Sequence, residues 1–386
     1  GVDFQIHLYE NLGSVLVVNG KDNESYISDI QHVRRRETIA MTPDNCLTAL
    51  HAFVSQTAVE DVKVTLEADK KSVVHAIQTI TGSPTKVLVA SSGLSIQYAI
   101  MMGLMHDAAE NHKGKAIKII VPPNCYGGTN DQARRVAACL DHVEIVDLLV
   151  DGDNDMVQSI DTILNQIAHE DAVPYIIAEI PTNPRVEVPN LLDLQSVLTK
   201  ERKTDSGTVA IDPVFILDQT FCPNVHFLGD EKVLSTVRTI SFASGSKFPS
   251  GGKCTAGYCV GNTKTVALMD KIELHLALCD NQATAFQYEI LAEQLPSMNQ
   301  RIVDAYKNTR EFVNYIHEVL PSAKINFVSE ELASKAYKEE LVKLRNSVNE
   351  LNKEIEIKLK NDLAKNKEFV NSRRYKLLNK KSRAEN

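Results

Sequence analysis

From residue 70 onward the apolar positions switch repeatedly between two spacings, and the switching predicts the architecture. Residues 70–80, KKSVVHAIQTI, carry Val, Ala and Ile at helical intervals, whereas 86–94, KVLVASSGL, is a short β-branched run that stops in Ser and Gly. Residues 95–110 read as helix, 116–123 (AIKIIVPP) as strand and 129–142 as helix. Further strands are predicted at 143–149, 175–181, 214–220, 239–245 and 257–261, with helices at 155–170 and 191–201 between them. Such a succession implies an α/β unit whose mostly parallel sheet is covered by helices on both faces. Ligands of these sheets bind beyond the strand C-terminal ends. Four of the predicted strands end in polar or Gly-rich residues: SSG, NCYGGT, EIPTNP and DQT. Each alone is an ordinary loop, and together they would line one rim.

The flanks follow another pattern. Residues 1–70 are mixed, with a basic turn at 34–37 and a helix at 44–56, and suggest no chemistry. Residues 329–381 are rich in Lys and Glu, with Leu and Ile at helical intervals, as in an amphipathic helix that runs into a solvated basic end.

Composition narrows the class of partner. The chain has 386 residues, 43% hydrophobic and 24% charged, which describes a globular protein with a sizeable core. Its formal net charge of -8 offers no broad attraction to a phosphate backbone or an anionic membrane, so neither nucleic acid nor membrane is expected as a partner. The longest apolar runs have strand length, and the first residues show no basic region followed by an apolar block. The 7 cysteines are scattered without a C-x-x-C pair, so the expectation is reduced thiols, no metal site and a cytoplasmic location.

One segment asks for an explanation: SFASGSKFPSGGK, residues 241–253, surrounds Lys247 with small and hydroxylated residues. A solvated surface lysine is one reading; the other is a desolvated amine that condenses with a carbonyl, with Ser244 and Ser246 donating to a neighbouring phosphate. The segment alone does not decide between them. Asp218, at the end of an apolar strand, is expensive to bury as an anion unless a cation meets it, and a protonated pyridine nitrogen is such a cation. Ser92, Gly93 and Leu94 aim backbone N–H groups at a phosphate from a helix N-terminus. Tyr126 offers a face to a flat ring, and Asn183 a donor to a ring oxygen.

In their order along the chain, SSGL, CYGGT, EIPTNP, DQTFCP and SGSK resemble the Cys/Met-metabolism, or transsulfuration, family of pyridoxal-phosphate enzymes, which includes cystathionine γ-synthase and the cystathionine lyases. The resemblance covers residues from about 70 to about 320 and implies a fold type I transferase-like architecture with a smaller C-terminal domain. It divides the chain into an N-terminal segment at 1–70, a cofactor-binding catalytic domain at 71–262 and a helical domain at 263–386. Lys247 matches the lysine that holds pyridoxal 5'-phosphate and moves protons. Ser244, Ser246, Ser92, Gly93 and Leu94 match the phosphate cradle. Tyr126 matches the stacking tyrosine, Asp218 the partner of the ring nitrogen, Thr220 a hydroxyl beneath the ring, and Glu179 and Asn183 the acid and amide of Glu-x-Pro-x-Asn-Pro. Arg345, followed by Ser347, resembles the family's anchor for the substrate carboxylate; a solvated helical arginine is its other reading, and Arg373 and Arg374 are further candidates.

What the resemblance implies is an enzyme acting on a small amino-acid substrate, by γ-replacement or by β/γ-elimination on cystathionine or O-activated homoserines, assembled as a homodimer or homotetramer. The alternatives are an aminotransferase-like enzyme with the same cofactor and a catalytically reduced scaffold. Three departures from the family pattern stand out. The Tyr-x-Arg pair is missing from 62–69, the distance from Lys247 to Arg345 is short, and Gln219, Cys222, Ser250 and Gly252 replace the usual residues near the ring. Gly128 stands where methionine γ-lyases carry Cys, which favours a synthase or lyase of the transsulfuration type.

Overall fold

The computed structural model describes residues 1–9, 12–37, 43–59, 66–150, 154–229, 232–328 and parts of 350–372. The chain forms two compact units, Gly1–Leu332 and Ala333–Asn386. In the first, β1 (Phe4–Tyr9) and β2 (Gly13–Val18) make an antiparallel hairpin, followed by α1 (Tyr26–Glu37) and α2 (Pro43–Ser55). The basic turn expected at 34–37 is the last turn of α1, because the helix runs through it.

The regular alternation then begins: α3 (Leu66–Thr81), β3 (Val87–Ala90), α4 (Gly93–Asn111), β4 (Ile117–Val121), α5 (Gly127–Ala138), β5 (Val143–Asp147), α6 (Met156–His169), β6 (Val173–Glu179), α7 (Leu191–Thr199), β7 (Val214–Asp218), β8 (Thr239–Ser244) and β9 (Gly257–Gly261). The last elements are α8 (Val266–Leu278), α9 (Ala285–Gln294) and α10 (Met298–Val319). Strands β3 to β9 form one seven-stranded sheet in the order β3-β9-β8-β7-β6-β4-β5. Only β9 runs against the others, so the C-terminal ends of β3, β4, β5, β6, β7 and β8 share one edge. The α/β class with a mostly parallel, helix-covered sheet is what the apolar runs predict.

Continuous apolar strands are buried on both faces, and the pleat sorts their side chains. Ile117, Ile119, Tyr175, Ile177, Val214, Ile216, Ile240 and Phe242 join the layer with α4 and α8. Ile120, Ile176, Ala178, Phe215, Leu217 and Ala243 join the opposite layer with α3, α6 and α7. Helix α8 lies so close on α4 that a Cβ on Gly103 would come within 2.6 Å of Ile272 Cγ1. The expected division at residue 262 therefore falls inside the first unit. Among the described residues no helix is long and apolar enough to cross a membrane. In the second unit, residues 353–361 are helical.

Candidate active site

The parity of the pleat decides which polar side chains meet. On β6, Val173, Tyr175 and Ile177 face the α4 layer, so Glu179 follows them; on β7, Val214 and Ile216 do, so Asp218 follows them. The two strands pair with Glu179 in register with Asp218. Two carboxylates thus stand side by side at the sheet edge, on one face. Both are buried, Glu179 at 7% and Asp218 at 9% exposure.

Glu179 spends both oxygens on backbone donors. Tyr126 N–H donates to Oε1 at 2.8 Å and Asn183 N–H to Oε2 at 3.0 Å. Burial pushes the carboxyl up to about 7; Asp218 adds to the rise, and the two N–H bonds oppose it. Asp218 accepts from Thr220 N–H at 2.9 Å. Burial pushes its pKa up as well, against the bonds from Thr220. Among the described residues that bear on either charge there is no cation.

The line of contacts continues from Thr220. Its Oγ1 accepts from Ser244 N–H at 2.9 Å, which joins the end of β7 to the end of β8. Ser244 in turn lies against the start of α4: a Cβ on Gly93 would sit 3.1 Å from Ser244 Cβ and 3.2 Å from its Cα. Ser92 caps that helix, its Oγ accepting from Ser95 N–H at 3.0 Å. A Cβ on Gly257 would run into the Ser92 carbonyl, so β9 also approaches this corner only because it starts in glycine. The first amides of α4, those of Gly93 and Leu94, lie at the positive end of the helix.

Tyr126 precedes α5 and is 53% exposed. A Cβ on Gly128 would fall 2.7 Å from Tyr126 Cε1 and 3.1 Å from Leu94 Cδ1, so the glycine leaves room for the ring. Asn183 and Ser246 are half-buried. Lys247 is exposed, in the turn that follows β8, where the desolvated reading of this lysine expects burial. The turn carries it past the sheet edge. The carboxylate-anchor candidates Arg345, Arg373 and Arg374, and Ser347, lie outside the described residues.

Sequence reasoning missed the side chains that hold these loops from behind. Gln97 Nε2 donates to Gln132 Oε1 at 3.0 Å, Thr129 Oγ1 to Gln97 Oε1 at 2.9 Å, and Gln132 Nε2 to the Leu94 carbonyl at 3.0 Å. This buried amide chain links the α4 start to the α5 start. Gln287 of α9 donates to the Ser91 carbonyl at 2.9 Å and to the Thr255 carbonyl. Thr284 and Gln287 form a capping box, whose Thr-x-x-Gln spacing is legible in sequence; the reach of Gln287 to Ser91 is not. Gln219 is buried on the far face, accepting from Ser241 Oγ and donating to the Val225 carbonyl at 2.9 Å. Cys125, beside Tyr126, is buried, and burial, with Glu179 and Asp218, pushes its thiol up to about 12.

A groove of about 1940 Å³ lies elsewhere, lined among others by Leu8, Leu16, Leu50, Val89, Leu276 and Tyr288, and none of the candidate residues lines it.

The sequence matches no protein-family model and no curated protein. Among solved structures, the chain is similar to cystathionine gamma-lyase from yeast at 18% identity, covering 60% of this chain and 50% of that one, with a TM-score of 0.46. Cystathionine gamma-lyase from Lactobacillus plantarum, complexed with L-serine, is 22% identical over 64% of this chain and 56% of that one, with a TM-score of 0.47. For metB from Corynebacterium glutamicum the identity is 17%, over 68% and 60% of the two chains, with a TM-score of 0.48. The chain thus spans between half and three-fifths of the length of these proteins.

Proposed function

We propose that the chain is a pyridoxal-phosphate-dependent enzyme of sulfur amino-acid metabolism, which eliminates or replaces the β- or γ-substituent of a cystathionine-like or O-activated homoserine-like substrate. The observation that carries this reading is the unbroken line of contacts along one sheet edge, from Gly93 through Ser244, Thr220, Asp218 and Glu179 to Tyr126 and Asn183.

The donor set fits the cofactor. A buried carboxylate that burial disfavours as an anion suits a protonated ring nitrogen, and a glycine-cleared helix N-terminus with Ser244 alongside suits a phosphate. When bound, pyridoxal phosphate supplies an electron sink for charge at the substrate α-carbon. The chain's part is then to bind, orient and move protons. Asp218 keeps the proton on the ring nitrogen. The amides of Gly93 and Leu94, with the hydroxyls of Ser244 and Ser246, hold the phosphate, and Tyr126 covers the ring face. Lys247 Nζ would hold the cofactor through its aldehyde and, once free, would serve as the base for the substrate α-proton. Assembly as a homodimer or homotetramer belongs to the same proposal, and sedimentation as a monomer alone counts against it.

The test is the visible absorption spectrum of the protein with pyridoxal phosphate, for wild type and Lys247→Ala, before and after adding cystathionine or an O-activated homoserine. A protein-bound band present in wild type, lost in Lys247→Ala and perturbed by one of those amino acids is expected, together with release of ammonia or a thiol. Lys247→Ala should lower turnover by about 10²–10⁴-fold, the range for removing a positioned acid–base group. A wild type that never acquires the band sinks the proposal.

A further inference from the structure

We infer that Glu179 is a positioning residue: its ionised carboxylate ties the loop after β4 to the loop after β6, and so sets Tyr126 and Asn183 against the sheet edge. The tie is geometric. One oxygen takes the Tyr126 N–H and the other the Asn183 N–H, at 2.8 and 3.0 Å, so a single side chain joins two loops that are far apart in sequence. The anion accepts strongly at both oxygens, whereas in a protonated carboxyl the hydroxyl oxygen is a much weaker acceptor and its O–H needs an acceptor of its own, so one of the two ties weakens.

The groups that surround Glu179 make its charge conditional. Asp218, on the neighbouring strand β7, bears on it directly, and the Cys125 thiol on the β4 loop senses it in turn. Burial, with Asp218 adding to it and the two N–H bonds opposing, pushes the carboxyl up to about 7, while the Cys125 thiol, pushed up to about 12, stays neutral there. A cation that arrives at Asp218 relieves the repulsion and favours the ionised tie. Filling of the ring site and fixing of Tyr126 are therefore linked, with release of a proton. This linkage deepens the proposed function and rests on it for the identity of the cation; the tie itself is a property of the chain without any ligand.

The experiment uses the full chain without added cofactor, labelled with ¹⁵N-tyrosine, the Tyr126 amide being assigned by its loss in Tyr126→Phe. Its resonance is followed from about pH 5 to about pH 9, a window that brackets a carboxyl raised to neutrality. The expected result is a titration with a midpoint near 7 in wild type, abolished in Glu179→Gln while the far-ultraviolet circular dichroism is unchanged. Asp218→Asn, which removes the neighbouring acid, should lower the midpoint and serves if Glu179→Gln does not fold. An amide that does not titrate in wild type, or that titrates equally in Glu179→Gln, overturns the inference. With the titration intact, addition of pyridoxal phosphate near the midpoint should move the amide to its high-pH position. Failure of the cofactor to bind while the titration persists leaves the tie standing and removes the proposed function instead.

Discussion

The two edges of the central sheet bury charge in opposite ways. Near its N-terminal edge Lys118, in the second position of β4, is only 9% exposed and is bonded to Glu144 at 2.7 Å and to Glu170 at 2.8 Å. Burial works against its ammonium, but the two carboxylates outweigh that and raise its pKa. At the C-terminal edge Glu179 and Asp218 are as deeply buried, lie side by side, and have only N–H and hydroxyl donors to offset the loss of water. A charge buried for architecture is paired, because pairing returns much of the desolvation cost. One buried without a counter-ion holds free energy that a cationic ligand can release, which is what the proposed cofactor site asks of Asp218.

The sharpest way to break this comparison is to neutralise the unpaired side. Asp218→Asn should weaken binding of pyridoxal phosphate by about 2–5 kcal/mol, the cost of removing one member of a buried charge pair. The same variant without cofactor should melt higher than wild type at neutral pH, because a carboxyl that burial disfavours as an anion is gone. If the variant melts lower, Asp218 belongs to the architecture and the contrast fails.

A pH series sharpens the comparison without mutation. Burial holds the Glu179 carboxyl up at about 7 in the folded chain, above its ordinary value near 4.5. Between those values the folded state binds more protons than the unfolded state, so this contribution to stability is present below the ordinary value and is lost as pH rises through about 7. For the cofactor-free protein the loss amounts to roughly 3 kcal/mol at most, measurable by urea denaturation at the two ends of the window. It should vanish in Glu179→Gln; stability that rises with pH across the window contradicts the assignment.

The smallest effect is expected at the paired edge. Glu144 and Glu170 are themselves partly solvated, so Lys118→Met strands no buried anion. It should cost about 1 kcal/mol or less in denaturant unfolding and leave cofactor binding unchanged.

Much of the frame was legible beforehand. The run at 257–261 is β9 without adjustment, and the runs at 143–149 and 239–245 contain β5 and β8, β8 ending where Gly245 begins the turn and β5 ending at Asp147 although Leu148 and Leu149 follow. The helix predicted at 95–110 begins two residues sooner, because Ser92 takes the cap and Gly93 enters the first turn. Candidate residues were legible where they sit at strand ends, as Glu179 and Asp218 do. Their mutual contact was not: it depends on β6 and β7 pairing in one register, across an intervening helix and loop. The supports Gln97 and Gln132 gave no sequence signal, and Gln287 reads only as part of a cap, since a glutamine inside a helix looks alike whether it faces solvent or a carbonyl of another element.

The sequence by itself determined what acts over a few residues: period, caps and the polar stops of the strands, because propensity, capping bonds and chain stiffness are local. Tertiary structure alone decided the strand order β3-β9-β8-β7-β6-β4-β5, which is not the order of the chain and which brings the C-terminal ends of six strands to one edge. It also decided that Glu179 joins two loops and that, among the described residues, Lys118 finds two counter-ions while Asp218 finds none. The physical reason is that burial and pairing are properties of neighbours in space. A carboxylate acquires its perturbed charge only when packing has removed water from it and chosen what stands beside it.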